Sequence, residues 1–245
     1  MNFPKNLFII LFILTIVSCN SEYDVQDDKV YYKFWNFGLG GWNERIVENA
    51  DKESFKTIAS EEYLYGKDRF NVYYNNEHIP GADPNTFKPL DKGYALDAKR
   101  AYYFSDSIAN SNPKQFEIID REFSKNSQNV FYKTKPLNVC SVNDFTYVFP
   151  DNDDVLGRWT TDGCFYYYNN YRVPSDDYEN IVVYKGSHGI SKDNKYVYQF
   201  DKNYFETHKR TVFLKEKGIM VEDTIDVKTF IVENGRLKDK FGNID

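Results

Sequence analysis

The chain has 245 residues, with 31 Lys and Arg against 37 Asp and Glu, a formal net charge of −6. It has no basic block and no sign asymmetry, which excludes nucleic-acid binding by phosphate neutralisation. An aromatic share of 18% excludes a disordered chain.

Met1–Ser18 reads as a secretory signal peptide. Lys5 supplies the positive start, and Leu7–Val17 is an apolar run too short to span a membrane as a mature helix. The run closes on Ile16-Val17-Ser18-Cys19, and a small residue directly before Cys resembles the bacterial lipobox. That resemblance implies cleavage before Cys19 and acylation of its sulfur and amine with palmitate-type chains. Several chains on one residue hold a protein to a bilayer where one would be marginal. Asn20 stands where, in enterobacterial lipoproteins, Asp retains the protein at the inner membrane, which points to the outer membrane. Without Lys5 the basic count falls from 31 to 30 against 37 acids, a net of −7. Residues 19–28, with Glu22, Asp24, Asp27 and Asp28, read as an acidic tether overlapping the domain that follows. No second long apolar run follows, so the acyl chains on Cys19 are the expected membrane attachment.

From residue 23 to 245 a single β-repeat domain is expected, with enough chain to bury a sizeable core. A short pattern recurs: an aromatic or Ile, a turn on Asp or Asn, then Val or Ala and two mostly aromatic residues. Its clearest copies are Tyr65…Asp68…Val72-Tyr73-Tyr74 and Tyr94…Asp97…Ala101-Tyr102-Tyr103. Phe123…Asn126…Val130-Phe131-Tyr132, Trp159…Asp162…Tyr166-Tyr167-Tyr168 and Ile190…Asp193…Val197-Tyr198-Gln199 follow. Weaker copies start at Tyr23 and Phe205. The first carries an insertion rich in Gly and Trp, Trp35 to Trp42, and the copy that starts at Ile190 is truncated.

Each copy predicts a hairpin, because Asp and Asn side chains close turns and aromatic and β-branched residues suit pleated strands. Before several hairpins a cap residue stands four positions ahead of an aromatic or Ile: Asp51 to Phe55, Asp83 to Phe87, Asn112 to Phe116, Ser141 to Phe145, Asp177 to Ile181, Asp226 to Phe230. Pro84 and Pro113 sit at the first helical position, so one short helical turn is expected. The copy is thus about three short strands and one helical turn. It cannot bury its own aromatic face, so neighbours must stack. The fold class is all-β, either an open, curved, solenoid-like array of hairpins or a closed propeller-like ring. The uneven insertions favour the array.

The tandem unit, with Asp91-Lys92-Gly93-Tyr94-Ala95-Leu96-Asp97 and Asp201-Lys202-Asn203-Tyr204-Phe205, resembles the DKNYY family of bacterial secreted and lipid-anchored proteins. The resemblance covers roughly residues 23 to 235 and is strongest from 61 to 200. It implies an envelope repeat protein and carries no assigned chemistry.

The Asp/Asn column reads as turn structure, since calcium needs several oxygens converging on one point and each copy supplies one acid. One aromatic column is core. The second, Tyr74, Tyr103, Tyr132 and Tyr168, is a candidate aromatic binding face for a glycan. Trp35, Phe37 and Trp42 are a candidate loop site, or a cap over an open edge. Cys140 and Cys164 form a candidate disulfide stapling copy to copy, in a compartment that oxidises thiols. His78, His188 and His208 are scattered, so neither metal nor cofactor is expected. The acid pairs Asp153-Asp154 and Asp176-Asp177 read as solvated turns, and Ser187-His188 lacks a third triad partner. The expectation is a non-enzymatic, lipid-anchored scaffold that binds an envelope protein or glycan. The alternatives are an immunity or inhibitor lipoprotein that neutralises a secreted toxin or enzyme and, less favoured, a glycan-active enzyme.

Overall fold

The computed structural model describes residues 22–59, 63–151 and 157–200, and the backbone of 202–203, 209–214, 219–224, 231–233, 236–239 and 242–243. The chain divides into two compact units, one ending at Pro89 and one beginning at Leu90. The protein is all-β, built from small antiparallel sheets in tandem, and none closes into a barrel or ring among the described residues.

The first unit opens with a three-stranded meander, Glu22–Gln26, Lys29–Asn36 and Gly41–Ile46. Glu22, Asp24, Asp27 and Asp28, read in the sequence as part of a tether, lie in its first strand and turn. Asp24 accepts a hydrogen bond from Lys33 at 2.5 Å, and Asp28 pairs with Lys52. Asp27 and Asp28 both have positive φ, the signature of a two-residue hairpin turn whose twist matches its strands. The second sheet comprises Lys56–Ala59, Leu64–Lys67, Val72–Tyr74 and Glu77–His78.

The second unit repeats the scheme. Tyr94–Leu96, Ala101–Tyr103 and Asp106–Ile108 pair in that order. Next come Glu117–Ile118, Phe123–Lys125, Val130–Tyr132 and Lys135–Pro136. Thr146–Tyr147, Trp159–Thr161, Tyr166–Tyr168 and Tyr171–Arg172 form another sheet, and Val182–Val183, Ile190–Lys192, Val197–Gln199 and Lys202–Asn203 the next. Beyond it lie a ribbon, Lys209–Leu214 with Ile219–Thr224, and a meander from Ile231 to Asn243. Phe205, the expected start of the last copy, and the pair Asp226 and Phe230 lie outside the described residues.

One register runs through the copies. The leading aromatic or Ile stands opposite the last residue of the second hairpin strand in five copies, Tyr65↔Tyr74, Tyr94↔Tyr103, Phe123↔Tyr132, Trp159↔Tyr168 and Ile190↔Gln199, and in the first copy Tyr23 faces Tyr32 within a longer strand. A strand alternates its side chains, so the preceding aromatic faces the other way. That ring fills the core left by the copy before it. Tyr73 joins Val30 and Val47. Phe131 joins Tyr94, Ala101 and Ile108, Tyr167 joins Phe123, Val130 and Leu137, and Tyr198 joins Trp159, Tyr168 and Val173. Each such ring stabilises the stack by about 1.5–3 kcal/mol. The residue four positions past the cap closes the other side. Phe87 lies 5.4 Å from the ring of Tyr65, Phe116 5.7 Å from Tyr94, and Phe145 5.5 Å from Phe123. Ile181 packs against the cluster around Trp159. Of the expected helical turns, two are 3-10 segments, Pro113–Gln115 and Tyr178–Asn180, and after Asp51, Asp83 and Ser141 the chain makes only a turn or bend. The first 3-10 segment is capped by Asn112, which accepts from the Lys114 N–H at 3.1 Å.

A fourth strand follows the aromatic pair where three strands were expected. It is reached by a two-residue turn whose first residue has positive φ: Asn75, Phe104, Lys133, Asn169 and Phe200. A bulky residue rarely accepts that backbone. At Phe104 and Phe200 the ring compensates by lying over a glycine: a Cβ on Gly93 would sit 2.6 Å from the Phe104 ring, and one on Gly189 2.6 Å from that of Phe200.

Candidate functional site

The feature that recurs most strictly is the acid at each hairpin turn. Asp68, Asp97, Asn126 and Asp193 are each 4% exposed and Asp162 is fully buried. One carboxylate oxygen accepts two backbone N–H groups, two and three residues on. The donors are Phe70 and Asn71 for Asp68, Lys99 and Arg100 for Asp97, Cys164 and Phe165 for Asp162, and Lys195 and Tyr196 for Asp193. The other oxygen accepts the hydroxyl of the tyrosine five residues on: Tyr73 at 2.8 Å, Tyr102 at 2.6 Å, Tyr167 at 2.8 Å and Tyr198 at 2.5 Å. Asp68 and Asp162 also take the N–H groups of Asp51 and Cys140, each at 2.8 Å, and Asp193 the hydroxyl of Ser175 at 2.6 Å.

The exception follows from the same chemistry. Asn126 holds the turn through its oxygen, but the residue five on is Phe131, which has no hydroxyl. An amide NH2 replaces the acceptor oxygen and instead donates to the Asn110 carbonyl at 3.1 Å. Acid with tyrosine and amide with phenylalanine are the two combinations the copies use, and each gives the turn side chain a partner on both of its polar atoms.

The electrostatics agree. Burial alone would raise Asp68 and Asp193, but the hydrogen bonds they accept outweigh it and hold both below the ordinary carboxylate range. Burial, then the carboxylate each one bonds, pushes Tyr73, Tyr167 and Tyr198 well above a free phenol.

Cys140 and Cys164 are joined by a disulfide, with Cα atoms 6.3 Å apart. Both N–H groups donate to Asp162, so the bridge brackets that carboxylate. The two sulfurs and an Asp162 oxygen gather within 4.8 Å, the geometry of a partial metal site. The sulfurs are bonded to one another, however, and the carboxylate already accepts four hydrogen bonds, from Cys140, Cys164, Phe165 and Tyr167. The donor set belongs to the turn.

The second aromatic column is drawn into ring pairs. Tyr74, Tyr103 and Tyr132 are half-buried and Tyr168 is 2% exposed. Each lies 5.0–5.2 Å from the leading aromatic of its own hairpin. These rings offer edges rather than an open row of faces.

Trp35, Phe37 and Trp42 form, with Leu39, the tip of the hairpin Lys29–Ile46. Trp35 and Trp42 stand opposite each other, their rings edge-to-face at 5.9 Å, and Phe37 and Leu39 keep 77% and 75% of their surface.

The remaining candidates are scattered. Ser187 is buried, donating its hydroxyl to the Tyr184 carbonyl at 2.7 Å, and His188 follows in a positive-φ turn. His78 packs against Tyr73. The Asp177 carboxylate accepts from Asn180 at the second 3-10 segment. Cys19, Asp153, Asp154 and His208 lie outside the described residues. Among the described residues, no helix is long and apolar enough to cross a membrane.

The repeated turn, its register and its following short strand extend over the same stretch that a known family covers: residues 23–202 match the DKNYY family. The chain belongs to the DKNYY family. No curated protein and no solved structure matches it. The DKNYY match ends at Lys202, so the ribbon and meander beyond it lie outside the shared part.

The tyrosine hydroxyl as partner of each turn acid escaped the sequence reading. Its signal was present: Tyr follows Asp by five residues in four copies, and the one Asn is followed by Phe.

Proposed function

We propose that this DKNYY protein is a non-enzymatic scaffold of the cell envelope, tethered to the outer membrane by acyl chains on Cys19 and presenting its repeats to another envelope protein or a glycan. One observation carries the reading. The polar groups that recur in every strong copy, which a repeated active site would use, are committed to holding turns: both oxygens of Asp68, Asp97, Asp162 and Asp193 are occupied by backbone N–H groups and a buried hydroxyl. Half-burial of Tyr74, Tyr103 and Tyr132, with Tyr168 buried outright, favours a protein partner over stacked sugar rings. The lipobox-like leader supports the anchor.

In-cell crosslinking and pull-down of the full chain, anchor intact, tests this. Recovery of one stoichiometric envelope partner is expected. Turnover of a glycan panel that is lost on removing a single carboxylate would replace the scaffold with an enzyme. The acidic excess, 37 against 31, favours one second reading, an inhibitor of a basic secreted toxin or enzyme. A basic partner whose binding weakens steeply with salt would select it.

A further inference from the structure

The first sheet places its apolar tip and the start of the described chain at the same end. Glu22 pairs with Lys33, and the strand from Lys29 to Asn36 runs onward from Lys33 into the tip. Trp35 is two residues past that level and Phe37 is four, about 7 and 13 Å at strand rise. Cys19 lies three residues before Glu22, so it stands at most ~11 Å from that end of the sheet. That length lets a group bonded to Cys19 share one plane with the side chains of the tip.

The tip is graded along that axis. Phe37 and Leu39 are at the apex, the Trp35–Trp42 pair lies behind them, and Glu22, Lys33 and Glu44 form a charged girdle behind that. Tryptophan favours the boundary between headgroups and acyl chains, with purely apolar side chains deeper and charges outside. Backbone at that depth must be satisfied internally. Here the N–H groups of Gly38 and Leu39 donate to the Asn36 side chain, and those of Leu39 and Gly40 to its carbonyl. Gly40, at φ 65°, permits the tight turn.

We propose that the Phe37–Gly40 tip enters the same lipid leaflet as the acyl chains on Cys19, as a second membrane contact. This rests on the lipid-anchor reading. A single attachment point leaves the first sheet free to rotate; two contacts on one sheet fix which of its faces points away from the bilayer.

The chain has three tryptophans, and the third, Trp159, is buried. Intrinsic emission therefore reports the tip. The full processed protein is reconstituted in phosphatidylcholine vesicles whose acyl chains carry bromine. Emission is expected to fall against unbrominated vesicles, because Trp35 and Trp42 would sit at the depth where headgroups meet acyl chains. Phe37→Glu with Leu39→Glu should abolish the fall while the protein still floats with the vesicles and keeps its far-UV spectrum. Phe37→Ser with Leu39→Ser, a milder pair, should give a partial fall. Equal wild-type emission in both vesicles overturns the proposal. Self-association abolished by the Glu pair, with no quenching, would assign the tip to a second copy and also overturns it. The mass of the N-terminal peptide reads acylation separately. If Cys19 is bare, the anchor reading fails, and the tip proposal then stands or falls on whether that chain still shows quenching that depends on Phe37 and Leu39.

Discussion

At the residue scale the hairpin turns follow a two-letter rule: in four copies a buried acid stands five residues before a tyrosine, and in one a buried amide stands five before a phenylalanine. The rule makes Asn126 and Phe131 interdependent. Asn126→Asp alone would set a carboxylate oxygen against the Asn110 carbonyl and opposite a ring with no hydrogen to give. A loss of about 2–3 kcal/mol is expected, as for a buried polar group deprived of its partner. Adding Phe131→Tyr supplies the donor and should recover about 1 kcal/mol, the net worth of one hydrogen bond. Urea midpoints of the two singles and the double decide it. A double mutant no more stable than Asn126→Asp would show that the hydroxyl is incidental.

The element scale shows where the sequence was legible. Both hairpin strands of each strong copy, from Leu64 to Gln199, could be placed because aromatic alternation and the Asp turn are local signals. The tandem stacking followed from the same residues, since one copy leaves too much aromatic surface uncovered. The fourth strand was not visible. Its two-residue turn needs positive φ at its first residue, which Asn75 and Asn169 suggest but Phe104, Lys133 and Phe200 conceal. The compensation lies in Gly93 and Gly189, eleven residues earlier, where only the folded hairpin brings glycine under the ring. The tyrosine column looked available in sequence because strand alternation assigns a face and says nothing of what the next segment lays over it. For the candidate disulfide, spacing was silent on distance; the bridge closes a loop of 24 residues in sequence separation. Replacing Cys140 and Cys164 with Ser should cost about 3 kcal/mol. The denaturation midpoint of the oxidised protein should fall to that of the double variant on adding reductant, and a midpoint indifferent to reductant would contradict a stabilising bridge.

For the whole molecule, many small turns add up to a dependence on pH. Asp68 and Asp193 have folded values below the ordinary one. Their contribution is present above the unfolded carboxylate value, near 4, and is lost as pH falls through the lower folded value. Tyr73, Tyr167 and Tyr198 are raised, so their contribution is complete below the unfolded phenol value, near 10, and is lost as pH climbs toward the folded one. The melting temperature should therefore be flat between about pH 5 and 9 and fall on both sides. On the alkaline side tyrosinate absorbance should rise steeply together with the loss of strand signal. A gradual rise centred near 10, with the fold intact, would show the tyrosines to be accessible.

The outermost strands have a further consequence. Glu77–His78, Lys135–Pro136 and Tyr171–Arg172 are two residues long, and each carries a charge, an imidazole or a proline that cannot donate to a neighbour. These three margins are too short and too polar to template another chain. A polypeptide this rich in tyrosine and phenylalanine is otherwise a strong candidate for fibril growth, and such clipped margins work against it.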